Sequence, residues 1–227
     1  MSIQMKQNFH PADSENPLNY AVFTPENYDD LPLLVYLHGA GERGGDYSHV
    51  FRHGIPEHIA AGEIYPAIVL VPQCPCEFVW DNVAAEVKAI IDRTAAEFAV
   101  SPDRICITGS SMGGYGTWMM GLTYPYYFSA IAPIAGGGMA WRASNLRTTP
   151  VFAIHGGADD CVLPDCSRMM CDALRRAGGN VRLEILPGKG HNDGIDAAYV
   201  HPELIPWLLA SRRTDFTPVP EFCSEWF

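Results

Sequence analysis

Three groups of residues in this 227-residue chain have the types and order that could turn a hydroxyl into a nucleophile. Gly109-Ser110-Ser111-Met112-Gly113 fits the pattern G-x-S-x-G with Ser111 at its centre. A serine hydroxyl attacks poorly until a base takes its proton. His191, at the end of Gly188-Lys189-Gly190-His191, is the candidate base. A carboxylate can hold an imidazole in the useful tautomer and stabilise its cation. Asp159 and Asp160 lie between the serine and the histidine, with Asp159 the leading candidate acid and Asp160 its competitor, read as a cap for the next helix. Ser110 is out of register for the nucleophile, His201 reads as a surface-helix residue, and His155 as a residue that shapes a loop.

Two other patterns suggest different chemistry. Gly39-x-Gly41-x-x-Gly44 matches a dinucleotide-binding fingerprint. That site needs the glycines to open a helix and an acidic residue at the end of the next strand. Here they run into GDYSHVF, and the next apolar run ends in Pro-Gln. His49, His53 and His58 could gather a metal ion, but no H-E-x-x-H pattern is present and no carboxylate stands out as a further ligand. Neither a cofactor nor a metal is expected, and these histidines read as surface or pocket-rim residues.

The elements that must position the serine, acid and histidine follow from the apolar pattern. Short apolar runs at 33–37, 67–71, 104–108, 128–134 and 151–154 read as strands, with an alternating strand at 181–186. Helical stripes lie between them at 55–61, 82–98, 112–123 and 164–177, and the last helix is expected at 197–210. Strands alternating with helices specify a mostly parallel sheet covered on both faces. The serine motif then sits between a strand and a helix, the context that gives it meaning. A sharp turn there lifts the hydroxyl and aims the helix's free amides at developing negative charge.

Composition sets outer bounds. A chain this long can bury roughly 70% of its unfolded surface. One domain over 1–227 is expected, with 1–17 as an N-terminal extension and 211–227 as a C-terminal tail. A net charge of -11 with no Lys/Arg cluster disfavours nucleic acid. No apolar stretch reaches the roughly 20 residues of a membrane helix. Seven cysteines, several inside apolar runs, read as buried thiols. With no basic start followed by a long apolar run, a reducing cytoplasm is the expected location; secretion after removal of a signal is the alternative. No feature of the sequence specifies an oligomeric state.

Several segments resemble the compact esterases of the α/β-hydrolase superfamily. They are LPLLVYLHGAGERGG, VPQCP with the following Trp80, RICITGSSMGGYGTW and APIAGGG. The resemblance runs from about Leu31 to His191. It is to the phospholipase/carboxylesterase, dienelactone-hydrolase-like, poly(3-hydroxybutyrate)-depolymerase-like and feruloyl esterase groups, and locally to a group of predicted peptidases or esterases. It implies an α/β-hydrolase fold without a large lid, and a serine–acid–histidine set of Ser111, Asp159 and His191. It also implies an oxyanion hole from the amides of Ala40 and Met112. His38, Trp80 and Trp141 are candidate substrate contacts. Dienelactone hydrolases use cysteine where this chain has Ser111, and CVLP after the aspartates departs from the usual spacing.

The leading expectation is hydrolysis of a small-molecule carboxylic ester with a modest acyl or aryl group, with carbohydrate-linked esters implied by the resemblance. A serine peptidase acting on short peptides is the enzymatic alternative. A non-catalytic binding protein on the same fold is the alternative from another class.

Overall fold

The computed structural model describes residues 5–217, and its centre is an eight-stranded sheet. The strands are β1 (Lys6–His10), β2 (Tyr20–Thr24), β3 (Leu33–Leu37), β4 (Ile68–Pro72), β5 (Ile105–Ser110), β6 (Ala130–Ile134), β7 (Val151–Gly156) and β8 (Val181–Leu186). Their order across the sheet is β1-β2-β4-β3-β5-β6-β7-β8. β4, β3, β5, β6, β7 and β8 are parallel, and β2 pairs antiparallel with both β1 and β4.

Strands buried on both faces need apolar residues at every position. β3, LLVYL, meets that requirement. Leu33, Val35 and Leu37 face one core, while Leu34 and Tyr36 face the other. The first core is closed by α2 (Ala84–Glu97), α3 (Met112–Thr123) and α4 (Asp165–Arg176), through Val87, Ile90, Trp118, Met170 and Leu174. The second is closed by α1 (Gly54–Ala60), α5 (His191–Tyr199) and α6 (Leu204–Ala210), through Ile55, Ile195, Leu204 and Leu208. Each fully buried Leu or Ile contributes roughly 1.5–3 kcal/mol through burial.

The structure departs from the sequence reading at both ends. Part of the expected N-terminal extension is strand β1, and β2 follows it before the first expected strand. β1 (KQNFH) is mostly exposed, so no burial pattern marks it; its pairing with β2 defines it. The single helix expected at 197–210 is two helices, α5 and α6. They are separated at His201-Pro202, where proline restricts the preceding residue to non-helical backbone. Of the expected tail, 218–227 lies outside the described residues.

The chain leaves β3 for β4 on one side and then crosses to β5 on the other. Such a reversal opens a crevice at the carboxyl ends of the strands, where ligands bind in open α/β sheets. Helix α3 starts there, packed hard on the end of β3. A Cβ added at Gly113 would lie 1.9 Å from the Leu37 carbonyl oxygen, and one at Gly109 would lie 2.6 Å from the same oxygen. Backbone occupies both places, so no side chain can rotate away. Gly113→Ala is expected to destabilise the fold by about 3 kcal/mol or more, read as a lower urea midpoint.

Candidate active site

β5 ends at Ser110 and α3 begins at Met112, leaving Ser111 alone to turn the chain. It does so at φ 55°, ψ -119°, a backbone region costly for a residue with a side chain. Two bonds hold the turn. The Ser111 amide donates to the Ile134 carbonyl of β6 at 3.0 Å, and the Tyr115 amide donates to the Ser111 carbonyl at 3.0 Å. Ser110 is buried beneath the turn, its Oγ 3.4 Å from the Tyr36 hydroxyl.

Asp159 follows β7 and is buried. Its Oδ1 accepts from the amides of Cys161 at 3.0 Å and Val162 at 2.8 Å. Its Oδ2 lies 2.7 Å from His191 Nδ1. Burial pushes the Asp159 carboxyl up, but the hydrogen bonds from His191, Val162 and Cys161 outweigh it and hold it below the usual carboxylate range. An ionised Asp159 fixes the proton of His191 on Nδ1. Nε2 is then free to accept from the Ser111 hydroxyl, 2.9 Å away. Asp160, the competing acid, is exposed and stands outside this chain of hydrogen bonds, and Pro164 rather than Asp160 occupies the N-cap of α4. His191 is the first residue of α5, so a helix carries the histidine that the sequence placed on a loop.

His155 was legible only as a loop-shaping residue. It is fully buried at the end of β7. Its Nε2 donates to the Val162 carbonyl at 2.8 Å, and its Nδ1 meets Ser167 Oγ at 2.7 Å. Burial lowers its pKa, so it is a neutral post beneath the Asp159 loop.

The candidate oxyanion residues lie on the other side of the serine. Gly39 caps a short 3-10 turn, Ala40–Glu42, and a Cβ added at Gly39 would lie 3.7 Å from Ser111 Cβ. Ala40 opens this turn and Met112 opens α3; the first amides of a helix lack intrahelical acceptors. The glycine run of the dinucleotide fingerprint therefore opens a 3-10 turn here, not the helix that such a site needs.

His38 and Trp80 were expected to touch substrate, but neither presents its side chain to the surface. Both are fully buried. His38 Nδ1 donates to the Gly39 carbonyl at 2.6 Å, and its Nε2 accepts from the Cys74 amide at 3.0 Å. Trp80 Nε1 donates to the His38 carbonyl at 3.0 Å. Burial pushes the His38 pKa down to about 4, so it too is neutral. The pair braces the loop that carries Ala40 from behind. Trp141 lies on the 3-10 segment Ala140–Leu146 after β6 and is 67% exposed.

Because its folded pKa is depressed, the Asp159 carboxylate contributes stability above the ordinary carboxylate pKa and loses it as pH falls through the folded value. The stability gap between the wild type and Asp159→Asn is expected to narrow as pH drops below 3.8, read by denaturant unfolding at several pH values.

Among known proteins, the chain matches the prolyl oligopeptidase family over residues 138–209, a stretch that holds Asp159 and His191 but not Ser111. It is 30% identical to poly(3-hydroxyalkanoate) depolymerase C of Paucimonas lemoignei over 145 residues, 57% of this chain and 33% of that protein. A thermostable esterase of known structure superposes with a TM-score of 0.78 at 30% identity, over 92% of this chain and 64% of that one. The feruloyl esterase module of Clostridium thermocellum superposes with a TM-score of 0.71 over 92% of this chain and 89% of that one, its 17% identity a likeness of fold. The chain thus spans a third of the depolymerase and under two thirds of the thermostable esterase. Sheet order, the turn between β5 and α3 and these likenesses together give the chain an α/β-hydrolase fold.

Proposed function

We propose that the protein is a serine hydrolase that cleaves small carboxylic esters through an acyl-enzyme on Ser111. The observation that carries this reading is the continuous chain from Asp159 Oδ2 through His191 to Ser111 Oγ, at 2.7 and 2.9 Å. Ser111 Oγ attacks the ester carbonyl carbon as its proton passes to His191 Nε2. The carbonyl oxygen becomes an oxyanion facing the Ala40 and Met112 amides; one such donor contributes about 3 kcal/mol to the transition state. Asp159 stays ionised and stabilises the imidazolium. The imidazolium then protonates the alcohol as its bond to carbon breaks, leaving the acyl group on Ser111. Water attacks the acyl carbon, giving a proton to His191, and the acid leaves as the serine is restored.

An ester is favoured over an amide because the compared proteins include a polyester depolymerase, a thermostable esterase and a feruloyl esterase module. Among the described residues no segment forms a large lid, which suits a modest acyl or aryl group in an open crevice. Carbohydrate-linked acyl or aryl esters belong to that class. No helix is long and apolar enough to cross a membrane among the described residues. The match to the prolyl oligopeptidase family favours, as a second reading, a peptidase acting on short peptides.

Turnover of p-nitrophenyl acetate tests the roles of the residues. Ser111→Ala is expected to abolish the acyl-enzyme route, and Asp159→Asn to lower kcat by about 10^4-fold. Asp160→Asn is expected to stay close to wild type; a large loss there with little loss in Asp159→Asn would reverse the assignment of the acid. Comparing this ester with the matching p-nitroanilide separates the two readings. Faster ester turnover is expected, and a preference for the anilide supports the peptidase.

A further inference from the structure

The spacing of His49, His53 and His58 could gather a metal ion, though they read as surface or pocket-rim residues, and the fold gives each a different partner. His49 lies 3.6 Å from Asp46, and His58 pairs with the Tyr65 hydroxyl at 3.0 Å. His53 instead meets two carboxylates. One ring nitrogen of His53, one oxygen of Glu57 and one oxygen of Asp196 all lie within 4.8 Å of one another. His53 is the N-cap of α1 and Glu57 lies in its first turn. Asp196 comes from α5, across the contact between the two helices, with its Oδ1 3.9 Å from His53 Nδ1.

We propose that His53, Glu57 and Asp196 form a divalent-metal site, suited to zinc, that ties α1 to α5. Zinc takes imidazole nitrogen and carboxylate oxygen as ligands, and a site with three protein ligands holds water as the fourth. Ligand atoms around a tetrahedral zinc lie roughly 3.4 Å apart, given bonds of about 2.1 Å. The His53–Asp196 pair is already near that spacing, and both side chains are exposed enough to close the rest.

Charge points the same way. Two carboxylates converge, yet among the described residues neither has a Lys or Arg within 4.0 Å. A divalent cation removes that repulsion on a chain that already carries a net charge of -11. The backbone beneath is fixed. The Tyr36 hydroxyl donates to the His53 carbonyl at 3.3 Å, and the Tyr36 ring packs where Gly54, at φ 68°, leaves room for it. The site is separate from the Ser111–His191–Asp159 chain, but α5 connects them, since His191 is its first residue. An ion here fastens the helix that carries the proposed base. The inference holds whether or not the esterase reading does.

Calorimetric titration of metal-free full-length protein with Zn2+ tests it. One ion is expected to bind at this site, and Tm is expected to rise by about 5–10 °C when free zinc is a hundredfold above Kd. His53→Ala and Asp196→Asn are each expected to weaken Kd by at least about tenfold. Both variants should keep the fold of the wild type, read by circular dichroism of the metal-free proteins. If both bind zinc as tightly as the wild type does, the ion sits elsewhere, on surface thiols or on the serine site, and the proposal fails. It fails equally if the wild type takes up no zinc.

Discussion

The carbonyl oxygen of Leu37 sits where any side chain at Gly113 would have to be, and much of the site's geometry follows from that contact. α3 can approach β3 so closely only if its first turn is glycine-rich. The chain must then pass from β5 into α3 within one residue, which drives Ser111 to a positive φ. The strain is held in place by neighbours on both sides, the Ile134 carbonyl on β6 and the first helical bond from Tyr115. In exchange the hydroxyl stands above the carboxyl edge of the sheet, within reach of α5, and the start of α3 faces the same space.

Two His-Gly pairs repeat one solution at two strand ends. His38 ends the run from β3, and His155 lies at the end of β7. Each imidazole is fully buried, each is kept neutral by burial, and each ties the loop beside it to a neighbouring segment. His38 joins the Gly39 carbonyl to the Cys74 amide, while His155 joins the Val162 carbonyl to Ser167. A buried polar group without partners is costly, so these satisfied imidazoles fix loop shape strongly. One loop carries the proposed oxyanion donor and the other carries Asp159. Site geometry therefore rests on two histidines that are fully buried.

This division explains what could be read before folding. Ser111 was legible because a strand, two glycines and a helix surround it locally. His191 and Asp159 were legible from their order and from the runs that precede them. The burial of His38 and Trp80 was not, because it depends on the Cys74 amide and on contacts some 42 positions apart in the chain. An aromatic or a histidine beside a site motif looks the same in sequence whether it faces a ligand or supports a loop. β1 escaped notice for a similar reason: an exposed edge strand is defined by its partner rather than by its own pattern. The break between α5 and α6 was marked by Pro202, but the apolar stripe running past it concealed the stop.

The proposed function requires that the strained turn and the chain from Asp159 through His191 activate Ser111 specifically. A fluorophosphonate probe, which reacts with activated serines, tests this directly when the modified residue is mapped by mass spectrometry. A single adduct at Ser111 is expected, with none at the adjacent Ser110 and much slower labelling in His191→Ala. An unlabelled Ser111 in folded protein, or equal labelling with and without His191, would contradict it and leave a hydrolase fold that binds its ligand without cleaving it.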